Sequence, residues 1–104
     1  MYTVIRRYQG VQDSAEVARR ALEEFAPSLR DQHGFQGYWV VDAGDGVLAT
    51  ITFFETEEAA TESNAASATW VQENLANLVP NPPRVTSGET LALPAEASTS
   101  AVPA

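Results

Sequence analysis

The stretch FQGYWVVDAGDGVLATITFF, Phe35–Phe54, decides the fold of this chain. It contains two runs rich in β-branched and aromatic residues, Phe35–Asp42 and Val47–Phe54, separated by the segment AGDG. Asp-Gly between two such runs is among the strongest short-range signals for a β-hairpin. The sequence therefore predicts an antiparallel pair of strands here.

The second strand of this hairpin has two unlike faces, because strand side chains alternate with a period of two. The apolar face consists of Val47, Ala49, Ile51 and Phe53. The mixed face consists of Leu48, Thr50, Thr52 and Phe54. We expect the sequence-adjacent helices to cover the apolar face, which leaves the mixed face to be covered by something else.

The segment Tyr2–Tyr8 (YTVIRRY) is β-branched and aromatic and predicts another strand. The sequence does not decide which side of this strand meets the helices, because each side carries one arginine. Arg6 lies on the side of Tyr8, and Arg7 lies on the other side. Whichever side meets the helices, one arginine falls near the mixed face of the sheet. That arginine either reaches solvent or an ion pair at the strand end, or contributes to a site.

A helix follows, with Asp13 or Ser14 as its N-cap and Glu16 placed for a capping box. Pro27 predicts that this helix kinks or ends near Phe25, with a final turn to about residue 30 as the alternative. Its predicted core stripe consists of Val17, Ala18, Ala21, Leu22, Phe25 and Leu29.

The second helix begins after its N-cap Thr56 and is predicted to run to about Leu78, before a proline-rich turn. Its predicted core stripe is Ala60, Asn64, Ser67, Ala68, Val71, Leu75 and Leu78, and its shoulder is Ser63, Trp70, Asn74 and Asn77. Asn64 is unusual in such a stripe, since a buried amide needs hydrogen-bond partners. It is satisfied by neighbouring backbone, or it faces a ligand.

The segment Arg84–Leu93 predicts the last strand, and residues 94–104 are mostly small residues, Ser, Thr and Pro that predict a disordered tail. Residues 1–93 then form one α+β domain of ferredoxin-like β-α-β-β-α-β order, with an antiparallel sheet and two helices on one face. The opposite sheet face stays open. Because exposed apolar patches usually mark association surfaces, a homodimer that closes face to face is expected.

Composition excludes several functional classes. Six Lys and Arg against fourteen Asp and Glu give a net charge of -8, which argues against nucleic acid and anionic membrane surfaces as partners. The absence of cysteine excludes thiolate catalysis and cysteine-ligated metals, and is compatible with a reducing cytoplasm, the expected location. The lone histidine, His33, has no neighbours at metal-ligand spacing, so no metal site is expected.

Three segments together resemble a known family: YTVIRRYQG, the hairpin running into FFET, and SATWVQENLANL followed by prolines. They look like the antibiotic biosynthesis monooxygenase-like members of the dimeric α/β barrel superfamily, over roughly residues 1–93. The resemblance implies a homodimer of facing sheets with a pocket between each sheet and its helices. Some members of this family oxygenate electron-rich phenols or quinols without a prosthetic group, others degrade haem, and many have no established activity.

The resemblance also implies site residues. Haem-degrading members pair a first-strand asparagine with a tryptophan and a histidine on the second helix, and only the tryptophan, Trp70, has a counterpart here, so no cofactor is expected. Resemblance to the cofactor-free oxygenases implies that the candidate catalytic residues are Asn64 and Trp70. The candidate substrate-binding residues are Arg6, Tyr8, Tyr38, Trp39 and Asn74. The expected activity is cofactor-independent monooxygenation of an electron-rich phenol, quinol or polyketide-like aromatic. The alternative is a non-catalytic homodimeric module that binds a small apolar ligand or a protein partner.

Overall fold

The computed structural model describes residues 1–91 of the 104-residue chain. Its four strands are β1 (Tyr2–Tyr8), β2 (Phe35–Gly44), β3 (Val47–Phe54) and β4 (Arg84–Glu89). They form one antiparallel sheet of order β2-β3-β1-β4. The predicted tail and the last residues of the predicted fourth strand lie outside the described residues.

The predicted hairpin is confirmed, and its turn is tighter than the sequence pattern suggested. The β2 strand runs on to Gly44, and the strands are joined by Asp45 and Gly46 alone. These two residues have φ values of 54° and 75°. Positive φ at both central residues characterises the two-residue turn whose twist matches that of antiparallel strands, and it explains the Asp-Gly pair.

Two helices cover one face of the sheet. The first runs from α1 (Ser14–Arg20) through a π-helical turn (Ala21–Phe25) into α2 (Ala26–Arg30), and the second is α3 (Glu57–Asn74). The predicted N-caps are present, because the side chains of Asp13 and Thr56 accept the backbone N–H groups of Glu16 and Ala59. With these elements the chain has the predicted α+β, ferredoxin-like fold.

The first helix crosses Pro27 instead of ending there. Since proline has no N–H group, the regular bonding of the preceding turn is interrupted, and the N–H of Ala26 bonds the carbonyl of Ala21, five residues earlier. A π-turn takes more residues than an α-turn and so shifts the faces of the helix. Leu22, expected in the core, is accordingly 50% exposed, whereas Ala26 is buried.

The prediction about the faces of β3 is wrong. Its mixed face packs against the helices and is buried, whereas its apolar face is the open one and is only half-buried. The reason is visible in the core, which has two clusters, one around Phe54 and one around Leu48. Each end of the mixed face supplies one large apolar residue to a cluster, and Thr50 and Thr52 lie between them.

Packing of α3 also departs from the predicted stripe. Ser63 and Ser67 are buried, Ala68 is exposed and Asn64 is half-buried. The helix ends at Asn74, and the following residues continue in tight turns instead of helix to about residue 78. Trp70 packs against both core clusters, so it bridges the two halves of the layer between helices and sheet.

Candidate functional site

The helix-facing side of the sheet is polar at its centre. In β1 the buried side chains are Val4, Arg6 and Tyr8, and register pairs Arg6 with Thr50 of β3. The expectation that the arginines reach solvent or an ion pair at the strand end is wrong for Arg6, which is 7% exposed. Since Val4 and Tyr8 each join a core cluster, the residue between them must face the helices too.

The hydrogen bonds from the Arg6 side chain to α3 are made to one residue. Its Nη2 donates to the backbone oxygen of Asn64 at 3.1 Å and also to the side-chain oxygen of Asn64. Both acceptors are neutral, and no carboxylate within residues 1–91 forms an ion pair with Arg6. Asn64 is therefore satisfied by a buried guanidinium of another element, which sequence reasoning did not consider.

Two hollows meet at this arginine. The first, here called the inner cavity, has a volume of about 30 Å³ and lies between sheet and helices. The second, the proline cleft, has a volume of about 630 Å³ and lies between α3, the Pro80–Pro83 turn and β4. Arg6, Tyr8, Val71 and Val79 line both hollows and so form their common wall.

The inner cavity is lined by aromatic, aliphatic and hydroxyl side chains. Phe25 and Trp70 close one end, with ring centroids 5.0 Å apart. Phe25 also meets Tyr38 edge to face at 6.3 Å. The hydroxyl-bearing residues are Tyr8, Tyr38, Thr50, Thr52 and Ser67. The last three were not predicted as site residues, although the mixed face of β3 was a usable signal for the two threonines.

Both cavity tyrosines are held in their protonated form. Burial raises the pKa of Tyr8 above its usual value near 10, and the neighbouring Arg6 charge offsets this only in part. Burial also raises the pKa of Tyr38, and the nearby Tyr8 acts in the same direction. At neutral pH these phenols are hydrogen-bond donors and do not act as bases.

The structure brings five of the seven predicted site residues together: Arg6, Tyr8, Tyr38, Asn64 and Trp70. It places Trp39 on the opposite, open face, 56% exposed, where its ring covers Gly37 and meets Phe53 edge to face. It places Asn74 at the exposed end of α3, bonded to the carbonyl of Trp70. Trp39 is separated from Tyr38 because the two residues are adjacent in β2, and adjacent side chains of a strand point to opposite faces of the sheet.

The residues present do not suit an imidazole-ligated haem. The chain has one histidine, His33, and it is exposed in the turn after α2. It lines neither hollow. Within residues 1–91, no group of three or more acidic or histidine side chains could hold a metal ion. No helix of this part of the chain is long and apolar enough to cross a membrane.

Comparison with known proteins bears on the family and the fold of this chain. The sequence profile of the family described as antibiotic biosynthesis monooxygenase matches residues 1–70. No curated protein sequence matches the chain significantly. Several solved structures share the fold at identities too low to carry function.

Three of these structures illustrate the range. A protein of unknown function from Nitrosomonas europaea, NE2512, is 22% identical, covers 90% of this chain and 94% of its own, and has a TM-score of 0.72. The monooxygenase ActVA-Orf6 of Streptomyces coelicolor, solved with nanaomycin D, is 17% identical over 90% and 92%, with a TM-score of 0.69. The haem-degrader MhuD of Mycobacterium tuberculosis, solved with two haems in its active site, is 20% identical over 88% and 97%, with a TM-score of 0.65.

Proposed function

Because this chain belongs to the antibiotic biosynthesis monooxygenase family, we propose that it is a cofactor-independent monooxygenase of an electron-rich phenol, quinol or polyketide-like aromatic. The observation that carries the proposal is the convergence of the buried Arg6 and Tyr8 on the wall between an apolar cavity and a larger cleft. Such a wall offers two hydrogen-bond donors at the point where oxyanion charge develops in phenol oxidation.

Size assigns the two hollows different occupants. A volume of about 30 Å³ admits a molecule of one or two heavy atoms, so the inner cavity suits dioxygen and not a ring. The proline cleft, at about 630 Å³, falls in the range of small-molecule sites. In this arrangement the ring lies in the cleft against Arg6 and Tyr8, and dioxygen reaches it from the side of Tyr38 and Trp70.

The chemistry balances without a prosthetic group. A phenol that has lost its O–H proton to solvent transfers electrons to dioxygen, and a C–O bond forms at the ring carbon para to the oxygen. The resulting peroxide takes up a proton, the C–H proton leaves, and the O–O bond breaks. The products are a quinone and water, so the phenol supplies all four electrons.

The roles of the side chains follow from their protonation. Arg6 and Tyr8 donate hydrogen bonds to the substrate oxyanion, and Trp70 and Phe25 keep water from the inner end. No carboxylate or imidazole lines either hollow within residues 1–91, and both tyrosines are protonated. The substrate must then lose its first proton to solvent before it binds.

We also propose that the chain is a homodimer that buries the open sheet face. This face carries a cluster of half-buried or exposed apolar side chains that consists of Ile5, Trp39, Val41, Val47, Ile51 and Phe53. A contiguous patch of this kind is typical of an interface between subunits. It lies opposite the helices, so dimerisation leaves the cavity and the cleft accessible.

Oxygen uptake tests the proposed activity. Anthrone, whose enol form is a phenol, is incubated with the protein under air, and consumption of dioxygen and formation of anthraquinone are followed together. We expect one dioxygen per anthraquinone, one labelled oxygen atom in the product when labelled dioxygen is used, and a rate that Tyr8→Phe lowers about 10-fold or more. A rate equal to autoxidation, alongside measurable binding of anthrone, would instead favour the non-catalytic ligand-binding module.

A further inference from the structure

The charge of Arg6 has no anionic partner among residues 1–91, although the side chain is more than nine-tenths buried. Removing a guanidinium from water is unfavourable unless an opposite charge or a full set of acceptors replaces the lost hydration. Here Asn64 supplies two neutral oxygens, and both bond the same nitrogen, Nη2. A further interaction of this guanidinium, with the Tyr8 hydroxyl, is also with a neutral group.

The cleft next to this side chain has the complementary composition. Its walls are mainly aliphatic and proline side chains, such as Val71, Val79, Val85 and Pro83. Among residues 1–91, Arg6 is the one charged residue that lines it. A hollow with mainly apolar walls and a cation in one of them fits a ligand with an apolar body and one negative group.

We propose that the proline cleft binds an aromatic oxyanion, with the ring between α3 and β4 and the negatively charged oxygen on the guanidinium of Arg6. This inference deepens the proposed function and rests on it where the ligand is called a substrate. A planar guanidinium matches phenolate and carboxylate oxygens well, since its donors form a fixed fork. The protein then selects the ionised form of its ligand from solution, which is the form that transfers electrons to dioxygen.

Matched probes test the charge requirement. The protein is titrated by calorimetry with 2-hydroxy-1,4-naphthoquinone, which is ionised at neutral pH, and with 2-methoxy-1,4-naphthoquinone, its neutral analogue. A second pair, 2-naphthoate and methyl 2-naphthoate, distinguishes a carboxylate from an ionised hydroxyl as the favoured source of the charge. We expect the better anion to bind about 10- to 100-fold more tightly than its neutral analogue.

Variants locate the anion. Arg6→Met is expected to remove the preference for the anion, while Arg7→Met, a neighbour exposed on the opposite face, keeps it. If Arg6→Met fails to fold, Val85 offers a second route, because it lies directly across from Arg6 in the sheet and is 46% exposed. Val85→Glu places a carboxylate beside the guanidinium and should lower anion affinity about 10-fold or more relative to Val85→Gln, the variant of similar size without the charge.

Several results would overturn the inference. Equal affinities for anion and neutral analogue, no measurable binding of either, or a preference that survives both Arg6→Met and Val85→Glu would each do so. Anion binding that appears only after Glu96→Gln, which removes the one acidic side chain of residues 92–104, would mean that the chain itself neutralises Arg6. Binding of the anion with no oxidation of anthrone would retain the inference and remove the monooxygenase proposal.

Discussion

The two faces of this sheet reverse the usual relation between polarity and burial. The face under the helices carries Arg6, Thr50 and Thr52, all buried, whereas the open face presents Ile51 and Phe53 only half-buried. A covered face tolerates polar groups when they line a cavity or bond one another. An apolar face that its own subunit leaves uncovered is typical of an interface with another subunit. The comparison is the reason for proposing a ligand site on the first face and an association surface on the second.

The largest difference between the faces should appear in adjacent phenylalanines of β3. Phe54 is 1% exposed and belongs to a core cluster, so Phe54→Ala should lower the free energy of unfolding by about 3–5 kcal/mol. Phe53 lies on the open face against Trp39, so Phe53→Ala should lower it by about 2 kcal/mol or less. Urea denaturation of both variants, at a concentration where sedimentation gives the mass of one chain, makes the comparison. Equal losses would show that the two faces are equally buried in the isolated subunit.

A charge introduced at the centre of the open face should weaken the proposed dimer. Ile51 lies between Ile5 and Trp39 in the strand register, so Ile51→Asp would bury a carboxylate in the interface and weaken a dimer by about 2 kcal/mol or more. Ser87→Asp adds the same charge on the helix side of β4, where it is exposed, and is the control. Sedimentation equilibrium measures both. A wild-type mass of one chain at micromolar concentration would remove the dimer proposal altogether.

These contrasts also mark the limit of sequence reasoning. The hairpin, both N-caps and the order of elements were predictable because each depends on residues close together in the chain, such as Asp45-Gly46 or Thr56 with Ala59. The face of β3 that meets the helices was not predictable, because both of its faces contain apolar residues. Which face meets the helices depends on Leu48 and Phe54 filling two distant clusters.

The site shows the same division. Asn64, Trp70, Tyr8 and Arg6 were predicted as candidates from residue type and family resemblance, and the fold does bring them to one region. The pairing of Arg6 with Asn64 could not be predicted, since it joins residues 58 positions apart. The π-turn before Pro27 likewise shifted the predicted helix stripe in a way that a fixed 3.6-residue period cannot describe.

A smaller effect should distinguish the half-buried amide of Asn64 on the helix side from an exposed one. Asn64→Ala removes the side-chain acceptor of a buried guanidinium, so we expect a loss of about 1–3 kcal/mol in the free energy of unfolding. Asn74→Ala removes an exposed amide on the same helix and should change it by about 0.5 kcal/mol or less. Chemical denaturation measures both. An Asn64→Ala protein of wild-type stability would show that water replaces the lost acceptor, and hence that Arg6 is more accessible than its burial indicates.

The smallest predicted effect is a loss of stability at alkaline pH that originates on the helix side alone. Tyr8 and Tyr38 have pKa values raised above 10 by burial, so between that pH and their folded pKa values the folded state binds more protons than the unfolded chain. The stability from these protonated phenols is fully present below about pH 10 and is lost as pH rises through the folded pKa values. Unfolding free energy measured by urea denaturation should therefore fall as pH rises above 10. Tyr8→Phe and Tyr38→Phe should each reduce that slope, since phenylalanine binds no proton in either state, and Phe53→Tyr on the open face should not reduce it. A slope that both Phe variants leave unchanged would mean that these two hydroxyls ionise in the folded protein as they do in the unfolded chain, which contradicts their desolvation by burial.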